Sequence, residues 1–314
     1  MENEALADKY EGCIVGLAVG DALGFPTEFM DLRAIRARWG KAGITDFEAC
    51  GPHPPGRYSD DTQMSLGVAR ALLRAGDRPL DDLMVEMGAE FVAWAESPDN
   101  NRAPGATCVR ACRLLRAGAT WREAGRNESK GCGTAMRSAP VGLYCHRNWP
   151  RLIEVASASS LITHGHPCAT GGSIATAALV SMALDGMEPK EMVESLCDLV
   201  APISAEFVSA IRKVPGLLVE EPDRALRELG HGWVAEEAVA DALYCFLRTP
   251  DDFAATVLTG ANSEGDSDSI ACVAGAISGA YNGLSAIPPH WGEQVENVAE
   301  LRAVGALLLA ATTS

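Results

Sequence analysis

The sequence predicts an all-α fold, because helical periodicity recurs along the chain while alternating strand patterns are hard to find. Several of the periodic segments end in glycine, as helix C-termini often do. These segments are 66–76, 80–96, 107–118, 171–186, 190–200, 238–248 and 269–283. Pro- and Gly-rich breaks separate them, namely GPHPPGRYS, ESPDNNRAPG, NWP, HP and IPP. Neither a fixed-period repeat nor a Gly/Ser linker divides the chain. We therefore expect one domain over residues 1–314.

The composition indicates an acidic globular protein. The 314 residues are 47% hydrophobic and 22% charged, and the formal net charge is −16 without any Lys/Arg-rich run. Because basic residues supply most of the affinity for nucleic acid and for anionic lipid, we expect no specific nucleic-acid binding and no membrane association. An anionic small molecule is compatible with this charge, since metal ions and helix N-termini can hold one locally.

The N-terminus and the cysteines favour a reducing compartment. The start MENEALADKYEGC carries acids where a signal peptide needs a basic start and an apolar core. No uninterrupted apolar stretch reaches the length of a membrane span. The ten cysteines are scattered and include no CxxC pair. We interpret them as buried thiols and expect a cytoplasmic protein.

The first apolar helix has a glycine at every fourth position, Gly12, Gly16, Gly20 and Gly24, in EGCIVGLAVGDALG. On a helix these glycines form a smooth ridge, which lets another backbone approach closely. Asp21 interrupts this helix and must find a partner if it is buried. We interpret Asp21 as a structural hydrogen-bonding residue, with a functional role as the alternative.

Two acidic features follow. Glu28 comes after Pro26, which is expected to end the ridge helix, and taken alone Glu28 would be a solvated loop carboxylate. In YSDDTQMSL, Ser59 stands where an N-cap would, with Asp60 and Asp61 at the start of an apolar helix. Acids and hydroxyls at a helix start satisfy free backbone N–H groups and complement the helix dipole. A plain cap therefore explains this cluster taken alone.

The glycine-rich segment GCGTAM (131–136) does not predict a nucleotide-binding fold. Its Met136 occupies the third glycine position of a dinucleotide fingerprint and no strand precedes it, and the chain contains no GxxxxGK[ST]. The Rossmann and P-loop interpretations are rejected. Arg137, which follows the segment, could add charge to an anion site or form a structural salt bridge.

The segment SEGDSDSIACVAGAISGAYNG repeats the design of YSDDTQMSL, because Asp266, Asp268 and Ser269 begin a helix of small apolar residues. One cap needs one acceptor, so two such clusters together predict a shared site of oxygen ligands. An EF-hand is excluded, since Ala271 and Ile277 stand where its loop needs Gly and Glu. Oxygen ligands select Mg²⁺, Mn²⁺ or Ca²⁺ over zinc, and four carboxylates would balance two divalent cations.

Five segments together resemble the ADP-ribosylglycohydrolase family, which includes the dinitrogenase reductase-activating glycohydrolases. They are GCIVGLAVGDALGFPTEF, YSDDTQMSL, GCGTAMRSAPVGLY, SSLITHGHP and EGDSDSIACVAGAISGAYNG, in family order from about Gly12 to Trp291. The resemblance implies an all-α, orthogonal multi-helix bundle around a central binuclear metal site that holds two divalent cations, Mg²⁺ or Mn²⁺. It also implies hydrolysis of the glycosidic bond between ADP-ribose and a modified acceptor.

Site residues follow from the resemblance by position. The implied metal ligands are Ser59, Asp60, Asp61, Asp266, Asp268 and Ser269. The implied ADP-ribose-binding residues are Gly131, Gly133, Ala135, Met136, Thr163 and His164, with backbone N–H groups of the glycine-rich segment receiving the diphosphate. Glu28 would lie over the metals as a gate or acid/base residue. The implied catalytic set is Glu28, Asp60, Asp61 and Asp268.

Two departures from the family pattern concern metal binding and acceptor choice. Ser59 and Ser269 stand where the family usually has threonine; serine keeps the hydroxyl, so we expect metal binding to survive. Ala103 and Ala106 stand where several arginine-specific members carry Asp and Asn. The nearby residues that could replace the missing acid are Asp99, Asn100 and Asn101.

Three functions are compatible with this pattern. The first is removal of ADP-ribose from protein arginine. The second is the same chemistry on ADP-ribosyl-serine, a nucleobase or a small ADP-ribose ester. The third is a non-catalytic member that binds ADP-ribose or has a structural role, and the intact acids of both clusters argue against it. The expected partner is an ADP-ribosylated protein or a small ADP-ribose conjugate.

Overall fold

Helices form the fold throughout residues 2–312, the part of the chain that the computed structural model describes. Within that part, backbone pairing of the β type is limited to isolated bridges, such as Cys50 with His53 and Gly131 with Val234. The prediction of an all-α fold is confirmed. The assignment of the whole chain to one domain stays a prediction.

The helices of the first half are α1 (Glu2–Gly24), α2 (Leu32–Trp39), α3 (Asp60–Ala75), α4 (Leu80–Glu96), α5 (Ala106–Arg116), α6 (Trp121–Ala124), α7 (Ala139–Tyr144) and α8 (Trp149–Leu161). Those of the second half are α9 (Pro167–Leu184), α10 (Pro189–Val200), α11 (Ala205–Ile211), α12 (Val214–Leu217), α13 (Pro222–Leu229), α14 (Ala235–Arg248), α15 (Phe253–Ala261), α16 (Ser267–Asn282), α17 (Pro289–Gln294) and α18 (Val298–Thr312). Short 3-10 turns occur at Phe25–Thr27, Cys132–Thr134 and Leu284–Ala286.

All seven periodic segments are helical, but α3, α9 and α14 begin several residues earlier than the periodicity indicates. Polar residues or proline occupy their first turns, where apolar spacing gives no signal. The prolines of NWP and HP, interpreted as breaks, lie in the first turns of α8 and α9, where a missing N–H costs nothing. Periodicity also missed α18, because apolar residues such as Leu307 lie on its exposed face.

The glycine ridge of α1 packs against α16 in the core. A Cβ added at Gly20 would lie 2.0 Å from the carbonyl oxygen of Ala271. The predicted close approach of two backbones is therefore confirmed, and its partner is the helix that follows the second acidic cluster. The ridge ends at Gly24, where an added Cβ would lie 2.5 Å from the Cα of Asp268. The packing thus brings the last turn of α1 to the first turn of α16.

Helix α9 has the length and composition of a membrane span, with a mean hydropathy of 1.4, although 89% of it is buried inside the protein. Burial of this kind is typical of a core helix. Small polar residues such as Thr170 and Ser173 interrupt its apolar run, which is why the sequence showed no uninterrupted span. The segments Glu4–Thr27 and Leu32–Trp39 pass the same test only when joined, and they are bent by 94°.

The ten cysteines are free thiols, and most of them are buried as predicted. Cys50 and Cys132 differ, because both are only half-buried. Cys132 lies in the 3-10 turn of the glycine-rich segment and contacts Asp266. For Cys50 and Cys132 the prediction of a buried thiol was therefore wrong.

Candidate active site

A cavity of about 310 Å³ opens between the starts of α3 and α16. The turn after α1, the segment before α5 and the glycine-rich segment before α7 complete its walls. Every predicted site residue lines this cavity except Ser59, Ala135 and Thr163, which are fully buried behind it. The sequence could not distinguish these positions, since motif spacing does not show which side of a segment faces a cleft.

The start of α3 is capped both locally and from another helix. The Ser59 hydroxyl accepts from the Asp61 N–H at 3.3 Å, as its N-cap position predicted. Asp21 of α1 is fully buried, and its carboxylate accepts hydrogen bonds from the backbone N–H groups of Ser59 at 2.7 Å and Thr62 at 2.9 Å. It also accepts from the Thr62 hydroxyl at 2.6 Å. The interpretation of Asp21 as a structural hydrogen-bonding residue is confirmed. Because Asp21 satisfies these donors, the carboxylates of Asp60 and Asp61 are not needed as caps.

The start of α16 has no side-chain cap. Asp266 stands at the N-cap position but accepts no bond from the helix N–H groups. Its Oδ2 instead accepts from the Cys132 thiol, 2.8 Å away. Asp268 accepts from the N–H of the next residue, Ser269, at 3.0 Å. Helix capping therefore does not explain the carboxylates at either helix start.

The carboxyl groups of the cavity are buried close together, and this raises their pKa values. Burial, followed by the charge of Asp268, raises the pKa of Glu28 to about 11 and that of Asp21 to about 7. The same two causes hold the pKa values of the other neighbouring aspartates well above their usual range, namely Asp60, Asp61 and Asp266. Such an array is costly unless protons or cations compensate its charge.

The donor set of the cavity fits hard divalent cations. Glu28, Asp266 and Asp268 each offer one carboxylate oxygen, and these oxygens lie within 4.8 Å of one another. In the same cavity, Oδ2 of Asp61 is buried without a hydrogen-bond partner in the structure. Carboxylate and hydroxyl oxygens are the ligands that Mg²⁺ and Mn²⁺ prefer. The Cys132 thiol adds one softer atom beside Asp266.

The two glycines of the glycine-rich segment lie close to His164, which leaves little space for side chains at these positions. A Cβ at Gly131 would lie 3.1 Å from His164 Nε2, and one at Gly133 would lie 2.9 Å from Cε1 of the same ring. Between them, the Cys132 N–H donates to the carbonyl of Trp233 at 3.2 Å. That amide is therefore already engaged, while binding of a diphosphate by the N–H groups around Gly131 and Gly133 stays a prediction.

Arg137 is buried behind the cleft and orients His164 through Thr163. Its guanidinium donates to the Thr163 hydroxyl oxygen at 2.7 Å and to the Ser159 carbonyl at 3.1 Å, and it lies over the ring of Phe91. The Thr163 oxygen lies 2.7 Å from His164 Nδ1. That hydroxyl can donate its own hydrogen to Nδ1 while it accepts from the guanidinium. In this arrangement the ring proton of His164 lies on Nε2.

His164 is a neutral hydrogen-bond donor beside the glycine-rich segment. Burial, reinforced by the charge of Arg137, lowers the pKa of His164 to about 3. Neither interpretation of Arg137 from the sequence was right. Its hydrogen bonds in residues 2–312 go to neutral acceptors rather than to a carboxylate, and it does not reach the cleft surface.

Phe29 and Trp233 form an aromatic pair that the sequence analysis missed. Their rings stack with centroids 5.1 Å apart, and both residues line the cavity. They are unusually exposed for aromatic residues, at 69% and 41%. The N–H of Phe29 donates to the carbonyl of Gly265 at 2.8 Å, which ties it to the start of α16. An aromatic residue directly after Glu28 was the available signal.

The wall that carries Ala103 and Ala106 stays apolar. Both residues line the cavity, and none of the segment 99–101 does so in the described structure. Asn100 donates instead to the carbonyl of Trp94 at 3.1 Å. Asp99 lines a separate cavity on the other side of the loop. The suggested polar replacements are therefore not in place.

A second group of possible metal ligands lies outside the cleft. It consists of His166, Cys168 and Glu206, whose ligand atoms lie within 4.8 Å of one another. These side chains already have partners. Nδ1 of His166 accepts from the Cys168 N–H at 3.1 Å as the N-cap of α9, and Glu206 pairs with Lys130 at 2.8 Å. Burial raises the pKa of the Cys168 thiol to about 11. His166 is therefore a helix cap that lies outside the cleft.

Comparison with known proteins supports the same family throughout the chain. The ADP-ribosylglycohydrolase family model matches residues 2–314. The chain is 28% identical to ADP-ribosylhydrolase ARH3 of Mus musculus over 93% of this chain and 88% of that protein. It is also 28% identical to ADP-ribosylarginine hydrolase Tri1 of Serratia proteamaculans, over 95% and 80% of the two chains.

A solved structure agrees with the sequence relatives. An ADP-ribosylglycohydrolase-related protein complex superposes with a TM-score of 0.78 at 27% identity, covering 98% of this chain and 99% of that one. The resemblance drawn from five sequence segments is confirmed. The chain belongs to the ADP-ribosylglycohydrolase family of hydrolytic enzymes.

Proposed function

We propose that this protein is a metal-dependent hydrolase that cleaves the glycosidic bond between ADP-ribose and a modified protein arginine. The observation that carries the proposal is the meeting of two acidic helix starts and Glu28 in one cavity, beside a glycine-rich segment. The hydrolase names of its relatives support the reaction class.

Two divalent cations, Mg²⁺ or Mn²⁺, would be held by the acids of both helix starts. The proposed ligands are Ser59, Asp60, Asp61, Asp266, Asp268 and Ser269. When bound, such cations supply Lewis-acid polarisation and compensate negative charge. The raised pKa values of the aspartates support this role, because a cation would relieve the repulsion that raises them.

Glu28 is placed to handle the proton. Hydrolysis breaks the bond between the ribose carbon and the acceptor nitrogen, adds the oxygen of water to that carbon, and delivers a proton to the leaving guanidine. Glu28 lines the cavity beside Asp266 and Asp268, and its pKa is raised to about 11 by burial and by their charges. Compensation of those charges would lower this pKa, so that the carboxyl group could both donate and accept a proton.

His164 and the glycine-rich segment would hold the ADP-ribose. The neutral imidazole carries its proton on Nε2, beside Gly131, where it can donate to a ribose or phosphate oxygen. Glycine at positions 131 and 133 lets the His164 ring lie directly against the main chain of this segment. Thr163 would act from behind, by fixing the tautomer of His164.

Arginine is favoured as the acceptor by the mouth of the cavity. A guanidinium is attracted to carboxylates and stacks on aromatic faces, and Phe29 and Trp233 present such faces next to Glu28. The similarity to an ADP-ribosylarginine hydrolase agrees with this choice. The alternative is the same chemistry on ADP-ribosyl-serine, a nucleobase or a small ester, favoured by the apolar wall at Ala103 and Ala106.

Parallel release assays test the acceptor. The protein is incubated with Mg²⁺ or Mn²⁺ and with ADP-ribosyl-arginine peptide, ADP-ribosyl-serine peptide or an ADP-ribose ester, and free ADP-ribose is measured. We expect release from the arginine peptide that EDTA abolishes. Release from the serine peptide or ester alone would transfer the proposal to the alternative acceptor. If the protein binds ADP-ribose but neither releases it from any substrate nor binds Mn²⁺, a non-catalytic role is supported.

A cytoplasmic location stays a prediction.

A further inference from the structure

A partly buried ion-pair cluster lies beside a second cavity, where Glu296 meets Arg102 and Arg57. Arg102 is 3% exposed and donates to both carboxylate oxygens of Glu296, at 2.6 Å through Nη1 and 3.2 Å through Nη2. Arg57 pairs with the same carboxylate. Glu296 belongs to the segment between α17 and α18, and its N–H donates to the carbonyl of Gly56 at 2.9 Å. The C-terminal part of the chain thus anchors two segments that are far away in sequence.

Both anchored segments lead to Asp60. The Asp60 N–H donates to the Arg102 carbonyl at 3.2 Å, and the Gly105 N–H donates to Asp60 Oδ2 at 3.3 Å. On the other side, Nη1 of Arg102 donates to the carbonyl of Tyr58 at 3.0 Å. The loop around Arg102 therefore contacts Asp60 through its backbone and its carboxylate, while the Arg102 side chain holds the chain just before α3.

Ala103 indicates that the conformation of this loop is imposed by its contacts. Its φ of 54° lies in the left-handed region, which is unfavourable for a residue with a Cβ. The hydrogen bonds of Arg102 and Gly105 flank it on both sides. Loss of the Glu296 anchor would let this loop relax, and its two contacts with Asp60 would weaken together.

We propose that Glu296 and Arg102 are positioning residues for the Asp60 half of the cation site. The segment between α17 and α18 thereby controls the geometry of a site to which it contributes no ligand. The identity of that site as a cation centre rests on the proposed function. The positioning itself concerns the segments 58–62 and 102–107 and can be measured without metal.

Glu90 of α4 provides a matched control. Like Glu296 it pairs with two arginines, in this case Arg70 and Arg74, and its side chain is similarly buried, with 10% exposure against 13% for Glu296. Its arginine partners lie in later turns of α3, away from Asp60. Glu90→Gln therefore removes a comparable ion pair without touching the start of α3.

Hydrogen–deuterium exchange tests the positioning in the metal-free full chain. We expect exchange in the segments 58–62 and 102–107 to rise about tenfold in Glu296→Gln and to stay close to wild type in Glu90→Gln, because local opening depends on local contacts. Thermal unfolding of each variant sets a temperature at which all are folded. Arg102→Lys, which keeps the charge but loses the two-pronged geometry, serves if Glu296→Gln does not fold. Unchanged protection of both segments in the folded variant would overturn the proposal.

A titration with Mn²⁺ tests whether this positioning affects the cation site. Binding is measured by the electron paramagnetic resonance signal of Mn²⁺. Groups that orient metal ligands change affinity by about 10- to 100-fold, so we expect Glu296→Gln to bind Mn²⁺ about tenfold more weakly than wild type. Glu90→Gln should bind like wild type. Wild-type affinity in Glu296→Gln, despite faster exchange, would overturn control of the cation site. Failure of the wild-type protein to bind Mn²⁺ would instead refute the proposed function, while the exchange data would still decide the positioning.

Discussion

The carboxylates at the two helix starts in the cleft are not needed as helix caps, and the reason differs between the two starts. At the start of α3, Asp21 of another helix accepts the hydrogen bonds of the free backbone N–H groups. At the start of α16, no side chain caps the helix, and Asp266 is turned to Cys132. An acid in the first turn of a helix is usually explained as a cap. Such an acid becomes a candidate metal ligand when another residue caps the helix or when no hydrogen bond from the helix N–H groups reaches it.

The two starts also differ in how they are held. The Asp60 side depends on hydrogen bonds and ion pairs from loops and from α1, whereas the Asp268 side is held by close backbone packing against Gly24. Hydrogen-bonded supports can be weakened one at a time, while glycine packing tolerates no added atom. Substitutions on the two sides should therefore differ in kind as well as in size.

The largest effect is expected from Asp268→Asn, which removes the charge at the centre of the acidic array. Because even groups that only orient a ligand cost about 10- to 100-fold, loss of a proposed ligand should cost more than about 100-fold in Mn²⁺ affinity and in ADP-ribose release. The metal-free fold should be kept, since Asn preserves the acceptor for the Ser269 N–H. Metal titration and the release assay measure both effects, with the exposed Asp223→Asn as control. Near-normal activity would contradict the assignment.

Gly20→Ala tests the packed side of the comparison. The added Cβ would lie 2.0 Å from the Ala271 carbonyl oxygen, so α1 and α16 would have to separate. We expect the free energy of unfolding to fall by about 3 kcal/mol, the upper part of the usual range for overpacking. Gly216→Ala is the control, because its Cβ meets no atom within 4 Å. Chemical denaturation compares the two, and equal stability would refute close packing as the support.

Asp21→Asn tests the hydrogen-bonded side. An amide offers one acceptor atom where Asp21 accepts from three donors, and its NH₂ group would face a backbone N–H. We expect a loss of about 2 kcal/mol in the free energy of unfolding. The ordinary cap Asp252, which accepts from the Ala255 N–H, provides the control, since Asn and Asp are equally good caps there. Equal losses of unfolding free energy in Asp21→Asn and Asp252→Asn would show that Asp21 is an ordinary cap.

The smallest effect concerns Asp241, a buried acid on α14 that lines no part of the cleft. Both its oxygens lack hydrogen-bond partners in the structure, and burial raises its pKa well above the usual value. The folded protein therefore binds this proton more tightly than the unfolded chain, so the stability from this group is full below about pH 4 and is lost as pH rises. Asp241→Asn should raise the melting temperature at pH 7.5 and leave it unchanged at pH 4. No gain at pH 7.5 would show that the carboxylate has a partner.

Much of this protein was predictable because its signals are local. The four-residue glycine spacing on α1 showed that another backbone would approach it, and the repeated pattern of acids before an apolar helix indicated one shared site. The structure brings Asp60, Asp61, Asp266 and Asp268 to one cavity, as that pattern required. Metal ligation by these residues stays a prediction.

Other features could not be read from the chain, because they depend on the direction of a side chain or on a distant partner. The family resemblance placed Thr163 in the ligand site, yet the side chain points backwards to link Arg137 with His164. Similarly, Arg137 was given two roles, and the structure supports neither. Exposure of Phe29 and Trp233 depends on how two separate segments meet, so neither residue was distinctive beforehand.

The all-α fold and the set of acids available for chemistry could be predicted from helical periodicity and residue types, and the family from the resemblance of five motifs. All of these are properties of short stretches. That Asp21 caps α3, that α16 packs on the ridge and that Glu296 anchors the loop beside Asp60 became visible in the folded structure alone. Each of these contacts joins residues tens to hundreds of positions apart, and such pairings are selected by the packing of the whole chain rather than by local pattern.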